Sequence, residues 1–483
     1  MQRYILFLFL FYLRICSAQN VQDAVSVFTN HPFNKVANIS FMAIDLDSDS
    51  IIASFSKEKA LVSASITKLF STATAFEVLG ENYSPVTKIY IDGPIDENGV
   101  VHGNLWIRGA GDVSMGSKYF NTVGHEIDFL TAWTDTLESL GIKAIDGAII
   151  SDGSAYGYEG APFGWAAHDL GNYYGALHAG INFYDNTIKL IFESGKIGSK
   201  ATLKRIYPDV KGLLMNSSVK ASASSGDNCD ISGVPFSLNR SVSGNIPANR
   251  KSYETIGSMP DSEFQLAKEW TTILNRRGIK VQNGAKCFRL LSPKLVNDYG
   301  VNFKLLLSHK GKSVKDIAYW TNVKSVNLFA EALLNYLGFE KLGDGRTITS
   351  LGILKNYWSS RISAGAMIIN DGSGLSRKNA ISASHFCNLL SYMYSSPNYS
   401  SFMATLPIAG RSGTIKNLCK GQVGEGRIFA KSGTLNNVKS YAGYVKALSG
   451  KNIAFSFCVN NFSCTSSQIV LKMEAVLNAL VKY

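Results

Sequence analysis
Long apolar runs are missing from this 483-residue chain once its first residues are set aside. Past that start no stretch of about 18 apolar residues occurs, so no transmembrane helix is expected in the mature protein. Cysteine is sparse as well. The seven cysteines include no Cys-x-x-Cys pair, and the seven histidines are dispersed, with Ala167-His168-Asp169 the most suggestive. That pattern speaks against a zinc site and implies no cofactor. Charged residues make up only 17% against 46% hydrophobic ones, which suits a folded protein and argues against disorder. The basic residues are scattered rather than clustered, so no nucleic-acid partner is expected.

What is present begins with an address. Met1-Gln2-Arg3 followed by Tyr4 to Leu13 is a basic start and a short apolar run, and Cys16-Ser17-Ala18 supplies small residues for cleavage after Ala18. Residues 1–18 therefore read as a signal peptide, and the protein as exported to the periplasm or cell envelope. The formal charge of +12 suits contact with anionic surfaces or polymers, those of the envelope included. Six cysteines remain after cleavage: Cys229, Cys287, Cys387, Cys419, Cys458 and Cys464. An exported protein permits disulfides, but the spacing does not choose among the pairings.

The chain is organised around Ala64-Ser65-Ile66-Thr67-Lys68. A helix is expected from Ser65 to about Leu79, with Leu69, Phe70, Ala73 and Phe76 on one stripe and Gly80 as its stop. Ser65 and Lys68 then share a face one turn apart. A hydroxyl at a helix start with an amine one turn on suits nucleophilic catalysis, since the amine can take the hydroxyl proton. The pattern alone is weak: it recurs at Ser54–Lys57, Ser56–Lys59 and Ser217–Lys220. Only Ser65 opens a helix with a buried stripe, and the plain alternative is a serine N-cap beside a solvated lysine.

Phe41 to Leu46 and Ile51 to Phe55 read as a hairpin across Asp47-Ser48-Asp49-Ser50. From about Tyr83 short strands and glycine-rich turns follow, among them Thr87–Ile91, Leu105–Arg108, Ala148–Ser151 and Thr187–Phe192. A helix is expected at Ser262 to Arg277, and two more around Val314 to Gly338 flank the polar turn Thr321 to Asn327. Three strands (Arg427–Ala430, Ser440–Ala447, Ile453–Val459) and a last amphipathic helix close the chain. That helix either packs on the strands or anchors on a membrane, and packing is the expectation.

Three stretches now combine: Ser65-Ile66-Thr67-Lys68, Ser325-Val326-Asn327 and Lys431-Ser432-Gly433-Thr434. Their order and settings (helix start, turn between helices, strand) match the Ser-x-x-Lys, Ser-x-Asn and Lys-Thr/Ser-Gly set of penicillin-interacting serine enzymes. Asp371-Gly372-Ser373-Gly374-Leu375-Ser376-Arg377, Leu406-Pro407-Ile408-Ala409-Gly410, Ser440-Tyr441-Ala442-Gly443 and the stretch Gly164 to Gly175 narrow the likeness. With them the chain resembles the low-molecular-mass class C penicillin-binding proteins, the D-alanyl-D-alanine carboxypeptidase/endopeptidases. Ser432 stands where that family usually has threonine.

The resemblance implies an α/β (α+β) serine transpeptidase/β-lactamase-like catalytic domain from residues 19–85 and 255–483. A mostly-β insert at 86–254, with two nested domains, separates the first two motifs. It also implies roles. Ser65 is the nucleophile and Lys68 the base, which needs an amine lowered by roughly three pH units, about 4 kcal/mol. Lys431 supplies the neighbouring cation and meets the substrate's terminal carboxylate; Ser325 relays a proton and Asn327 holds Lys68 and the substrate amide. Ser432, Gly433 and Thr434 line the substrate, with the Ser65 and Thr434 backbone N–H groups as oxyanion hole. Asp169 would meet a free amine on the stem peptide, or else cap a turn. The implied partners are peptidoglycan peptides and β-lactam inhibitors. Two rivals stay open: a serine β-lactamase, with Glu331-Ala332-Leu333-Leu334-Asn335 as a deacylation loop, and a non-catalytic peptidoglycan-binding envelope protein.

Overall fold
A computed structural model describes residues 21–291, 303–362 and 367–483; the expected signal peptide lies outside them. The chain forms two compact units. The first comprises Met1–Asn82, Val314–Val326 and Leu351–Tyr483, the second Tyr83–Ser313 and Asn327–Ser350. Among the described residues no helix is long and apolar enough to cross a membrane.

The first unit is built on a five-stranded antiparallel sheet in the order Ile428–Leu435, Val438–Lys446, Asn452–Asn460, Asn38–Asp45, Ser50–Phe55. Chain-distant strands Asn38–Asp45 and Asn452–Asn460 pair at its centre, so the hairpin that begins the unit is completed by its end. One face carries the last helix, Ser466–Lys482, whose Ile469, Met473, Val476, Leu477 and Leu480 are fully buried against Phe41, Phe455 and Val459. That helix is a core element rather than a membrane anchor. Thr465 caps it, accepting from the Gln468 amide. The opposite face meets the helix Ala383–Ser395 through Ala383, Cys387, Met42 and Ile44.

Helix Lys68–Leu79 is buried on nearly every side. Phe70 meets Trp358 and Phe386 edge-on or tilted, Phe76 meets Phe402, and the Trp358 indole donates to Thr74 Oγ1 at 2.8 Å. A helix so enclosed fixes whatever precedes it. The six cysteines are free thiols, and burial pushes Cys287, Cys419 and Cys458 up to about 12.

The second unit holds two large hydrophobic cores and a smaller cluster of Trp106, Ala148, Ile150 and Phe288 among the described residues. In one, a mixed sheet ordered Ala285–Cys287, Ile149–Asp152, Leu105–Arg108, Val86–Ile91, Lys304–Lys310 packs with helices Asp128–Ser139 and Ser262–Arg276 around Trp133, Leu266 and Trp270. The other joins a three-stranded sheet (Arg250–Ser258, Thr187–Ser194, Thr202–Tyr207) to a small four-stranded one around Ile188, Phe192, Val219 and Val242.

This partition departs from the expected insert at 86–254. Strand Arg250–Ser258 runs across residue 254 while paired with Thr187–Ser194. The helix after it buries Trp270 at 0% exposure against Trp133, and Lys304–Lys310 pairs with Val86–Ile91. These non-local pairings hold the chain in the second unit as far as Ser313.

Candidate active site
Ser65 does not open the long helix. Ala64–Thr67 is a 3-10 turn, and the α-helix begins at Lys68. The cause is Ala64, whose φ of 50° is left-handed and too costly to persist without support from its surroundings. Support comes from Thr67 Oγ1, which donates to Ala64 O at 2.9 Å and shares a 2.7 Å hydrogen bond with Ser63 Oγ. Neither helix has a side-chain cap bond here, so Ser65 is not the N-cap serine of the plain alternative. Its Oγ accepts instead from Lys68 Nζ at 2.9 Å.

Lys68 is completely buried and also donates to Ser373 O at 2.7 Å. That carbonyl is a functional group the sequence reading missed. It sits in the loop Asp371-Gly372-Ser373-Gly374, which the Asp371 carboxylate ties down by accepting from the Gly374 and Ser376 amides and Asn379 Nδ2. Ser71 Oγ donates to Gly372 O at 2.7 Å. Gly374, at φ 81°, passes so close that a Cβ would lie 2.0 Å from Ala64 O. The Asp-Gly-Ser-Gly composition signals a tight loop; which carbonyl it presents depends on the fold alone.

Ser325 lies between helices Val314–Val323 and Asn327–Leu342, also left-handed at φ 60°. Its Oγ accepts from Lys431 Nζ at 2.9 Å, and that ammonium donates again to Ser432 O at 2.7 Å. Lys431 stands on Ile428–Leu435, the edge strand of the sheet. Burial, then repulsion from Lys68 and Lys439, holds its amine well below the ordinary lysine range. The repulsion is mutual, so the pair disfavours carrying two protons at once.

Gly433 shows how tightly this strand docks. A Cβ there would lie 2.2 Å from Ser440 Oγ, 2.8 Å from Ser63 O and 3.0 Å from the Ser65 amide nitrogen. Ser440 Oγ donates to Ser63 O at 2.7 Å, locking the neighbouring strand to the same turn. Ser432 Oγ donates to Thr414 Oγ1 at 2.7 Å; Thr434 is exposed. Two serine–lysine pairs, Ser65–Lys68 and Ser325–Lys431, thus meet along one strand beside a backbone N–H, the materials for activating a hydroxyl and receiving an oxyanion.

Asn327 and Asp169 belong to the second unit. Asn327 Nδ2 donates to Tyr174 O at 2.8 Å. Asp169, with its side chain 15% exposed, lies 3.4 Å from His168 Nε2 and hydrogen-bonds the Tyr174 hydroxyl. Its own carbonyl accepts from the Asn172 amide at 3.1 Å. The turn contact is therefore made by the Asp169 backbone, while its carboxylate is engaged by His168 and Tyr174. Glu331 is 1% exposed inside helix Asn327–Leu342, which removes the deacylation-loop reading of that segment.

Comparison with known proteins agrees over nearly the whole chain. The family described as D-Ala-D-Ala carboxypeptidase 3 (S13) matches residues 21–480. The chain is 25% identical over 438 residues to the D-alanyl-D-alanine carboxypeptidase DacB of Haemophilus influenzae, covering 88% of this chain and 86% of that protein. It is 25% identical over 435 residues to a D-alanyl-D-alanine carboxypeptidase of Actinomadura sp., covering 88% and 77%. The crystal structure of penicillin binding protein 4 (dacB) from Haemophilus influenzae superposes with a TM-score of 0.80 at 23% identity, covering 95% of this chain and 99% of that one. The fold is accordingly that of these serine hydrolases.

Proposed function
The chain belongs to the D-Ala-D-Ala carboxypeptidase 3 (S13) family, and from that premise we propose that its serine carboxypeptidase activity runs through Ser65, with Lys68 as base. It is a serine-type D-Ala-D-Ala carboxypeptidase acting on peptidoglycan. The observation that carries the residue assignment is the 2.9 Å contact from Lys68 Nζ to Ser65 Oγ, made by a lysine with no solvent exposure.

Ser65 Oγ attacks the carbonyl carbon of the penultimate D-alanine while Lys68 takes its proton. The oxyanion is received by the Ser65 and Thr434 N–H groups, each worth about 2.7–4 kcal/mol. Collapse expels the terminal D-alanine, whose amine takes a proton relayed through Ser325. Water then attacks the acyl-enzyme with Lys68 again as base, freeing the shortened peptide and Ser65. This requires the proton on Lys431 rather than Lys68; the repulsion between the two amines disfavours charging both at once. Asn327 orients the substrate amide, and Ser432 and Gly433 line it.

β-Lactams acylate the same serine and block it; a complex of the Haemophilus influenzae penicillin binding protein 4 with a β-lactam supports this by likeness. Export to the periplasm or cell envelope brings the enzyme to its substrate. Endopeptidase action on cross-links is the second activity we assign to the site. The test is product analysis on a defined muropeptide carrying a D-Ala-D-Ala terminus. Stoichiometric free D-alanine, abolished by Ser65→Ala, supports the proposal. Fast release of hydrolysed penicillin without D-alanine indicates a β-lactamase, and binding without any product indicates a cell-wall binder.

A further inference from the structure
Three lysines, not two, converge on the edge strand. Lys439 stands on Val438–Lys446 opposite Thr434 in the cross-strand register. Its Nζ donates to Thr434 Oγ1 at 2.8 Å and sits 5.2 Å from the centre of the Tyr441 ring. Among the described residues no carboxylate lies within ion-pair distance of it. Burial lowers its amine to about 8, and its charge adds to the repulsion felt by Lys431. A cation drawn from water without a counter-ion is unfavourable unless an anion arrives.

Lys431 is poorly placed to be the group that meets that anion. It is completely buried, and two of its three N–H bonds are spent on Ser325 Oγ and Ser432 O. Lys439 is half-buried and spends one N–H, on the exposed Thr434. Along Ile428–Leu435 side chains alternate, so Ser432 and Thr434 present one face and Lys431 the other. The Thr434–Lys439 pair therefore extends the Ser432 face, and Thr434 also supplies an N–H assigned to the oxyanion.

We propose that Lys439, through Thr434, is the residue that selects substrates ending in a free carboxylate, and that Lys431 serves Ser325 instead. The proposal rests on the site assigned above. It moves the carboxylate contact off Lys431 and makes Lys439 a specificity determinant: its ammonium and the Thr434 hydroxyl donate together to the terminal carboxylate of a D-alanyl-D-alanine peptide. Tyr441, beneath the lysine stem, limits its rotamers and so the entropy lost on binding.

The experiment compares the wild type with Lys439→Gln and Lys439→Arg on diacetyl-L-lysyl-D-alanyl-D-alanine and on the C-terminal amide of the same peptide. The wild type should prefer the acid. Lys439→Gln should lose about tenfold or more in kcat/KM on the acid, mainly through KM, while the amide falls less than about threefold. Lys439→Arg should retain the preference. Equal losses on both peptides, or an acid-to-amide ratio unchanged in Lys439→Gln, overturn the proposal. Failure of the underlying site is recognised separately, because turnover of both peptides would then survive Ser65→Ala.

Discussion
The two units differ in which buried ionisable groups meet a nucleophile: the first buries lysines at its serines as well as acids such as Asp371, and the second buries Glu263 and Asp112. The first encloses Lys68 and Lys431 at 0% exposure, each bonded to a serine hydroxyl and a carbonyl. Burial, followed by the nearby Asp261 and Asp152, pushes the Glu263 carboxyl up to about 8, though Tyr158 donates to it at 3.1 Å. Asp112 is raised by burial against the pull of His309, and burial holds His178 down at about 4. Buried charge costs stability wherever it sits. In the first unit the cost coincides with a nucleophile; in the second Glu263 accepts from the Tyr158 hydroxyl and the Gly153 amide. What separates the two clusters here is the serine hydroxyl bonded to each lysine, not burial.

The comparison breaks most visibly on activity. Ser65→Ala should lower turnover by a factor approaching 10⁶, as when other nucleophiles are removed, while leaving thermal unfolding within about 1 kcal/mol; steady-state D-alanine release and calorimetry read the two. The next effect is on stability and has opposite sign in the two units. Glu263 takes up its proton more tightly folded than unfolded, so its contribution is greatest below pH 4.5 and is lost as pH rises towards about 8. Lys431 is the reverse: its folded amine is depressed, so the first unit gains stability as pH rises towards the ordinary lysine value. Glu263→Gln should therefore stabilise the second unit at pH 8 by up to about 5 kcal/mol and change little at pH 4.5. Hydrogen exchange in helix Ser262–Arg276 at the two pH values measures it. The smallest effect is on substrate choice. Asp169→Asn should lower kcat/KM by roughly tenfold, about 1.4 kcal/mol, for peptides with a free side-chain amine, and barely for their acetylated analogues. Equal losses would make Asp169 a scaffold residue tied to Tyr174 and Asn172.

Much of the first unit is legible because its signals are local. The hairpin at Asn38–Asp45 and Ser50–Phe55, the three closing strands and the helix Ser466–Lys482 follow alternation or helical spacing to within a few residues of the sequence reading. Helix Ser262–Arg276 is equally clear from Leu266, Trp270 and Leu274. Its allegiance is not, since that depends on Trp133, more than a hundred residues earlier. Helices Asp128–Ser139 and Ala383–Ser395 carry threonine and serine at many positions, which blurs their stripe, and the sequence reading assigns neither. At the site, side-chain identities point to Ser65, Lys68, Ser325 and Lys431. The left-handed turns at Ala64 and Ser325, and the Ser373 carbonyl that holds Lys68, are backbone properties. No residue name announces them.

The most direct test of the central claim is to let the protein react with benzylpenicillin, digest it, and locate the added mass by peptide sequencing. One penicilloyl group per chain is expected, on Ser65, formed more slowly in Lys68→Met and at an undiminished rate in Ser217→Ala. An adduct on Ser54, Ser217 or Ser325, or none at any serine, would contradict it.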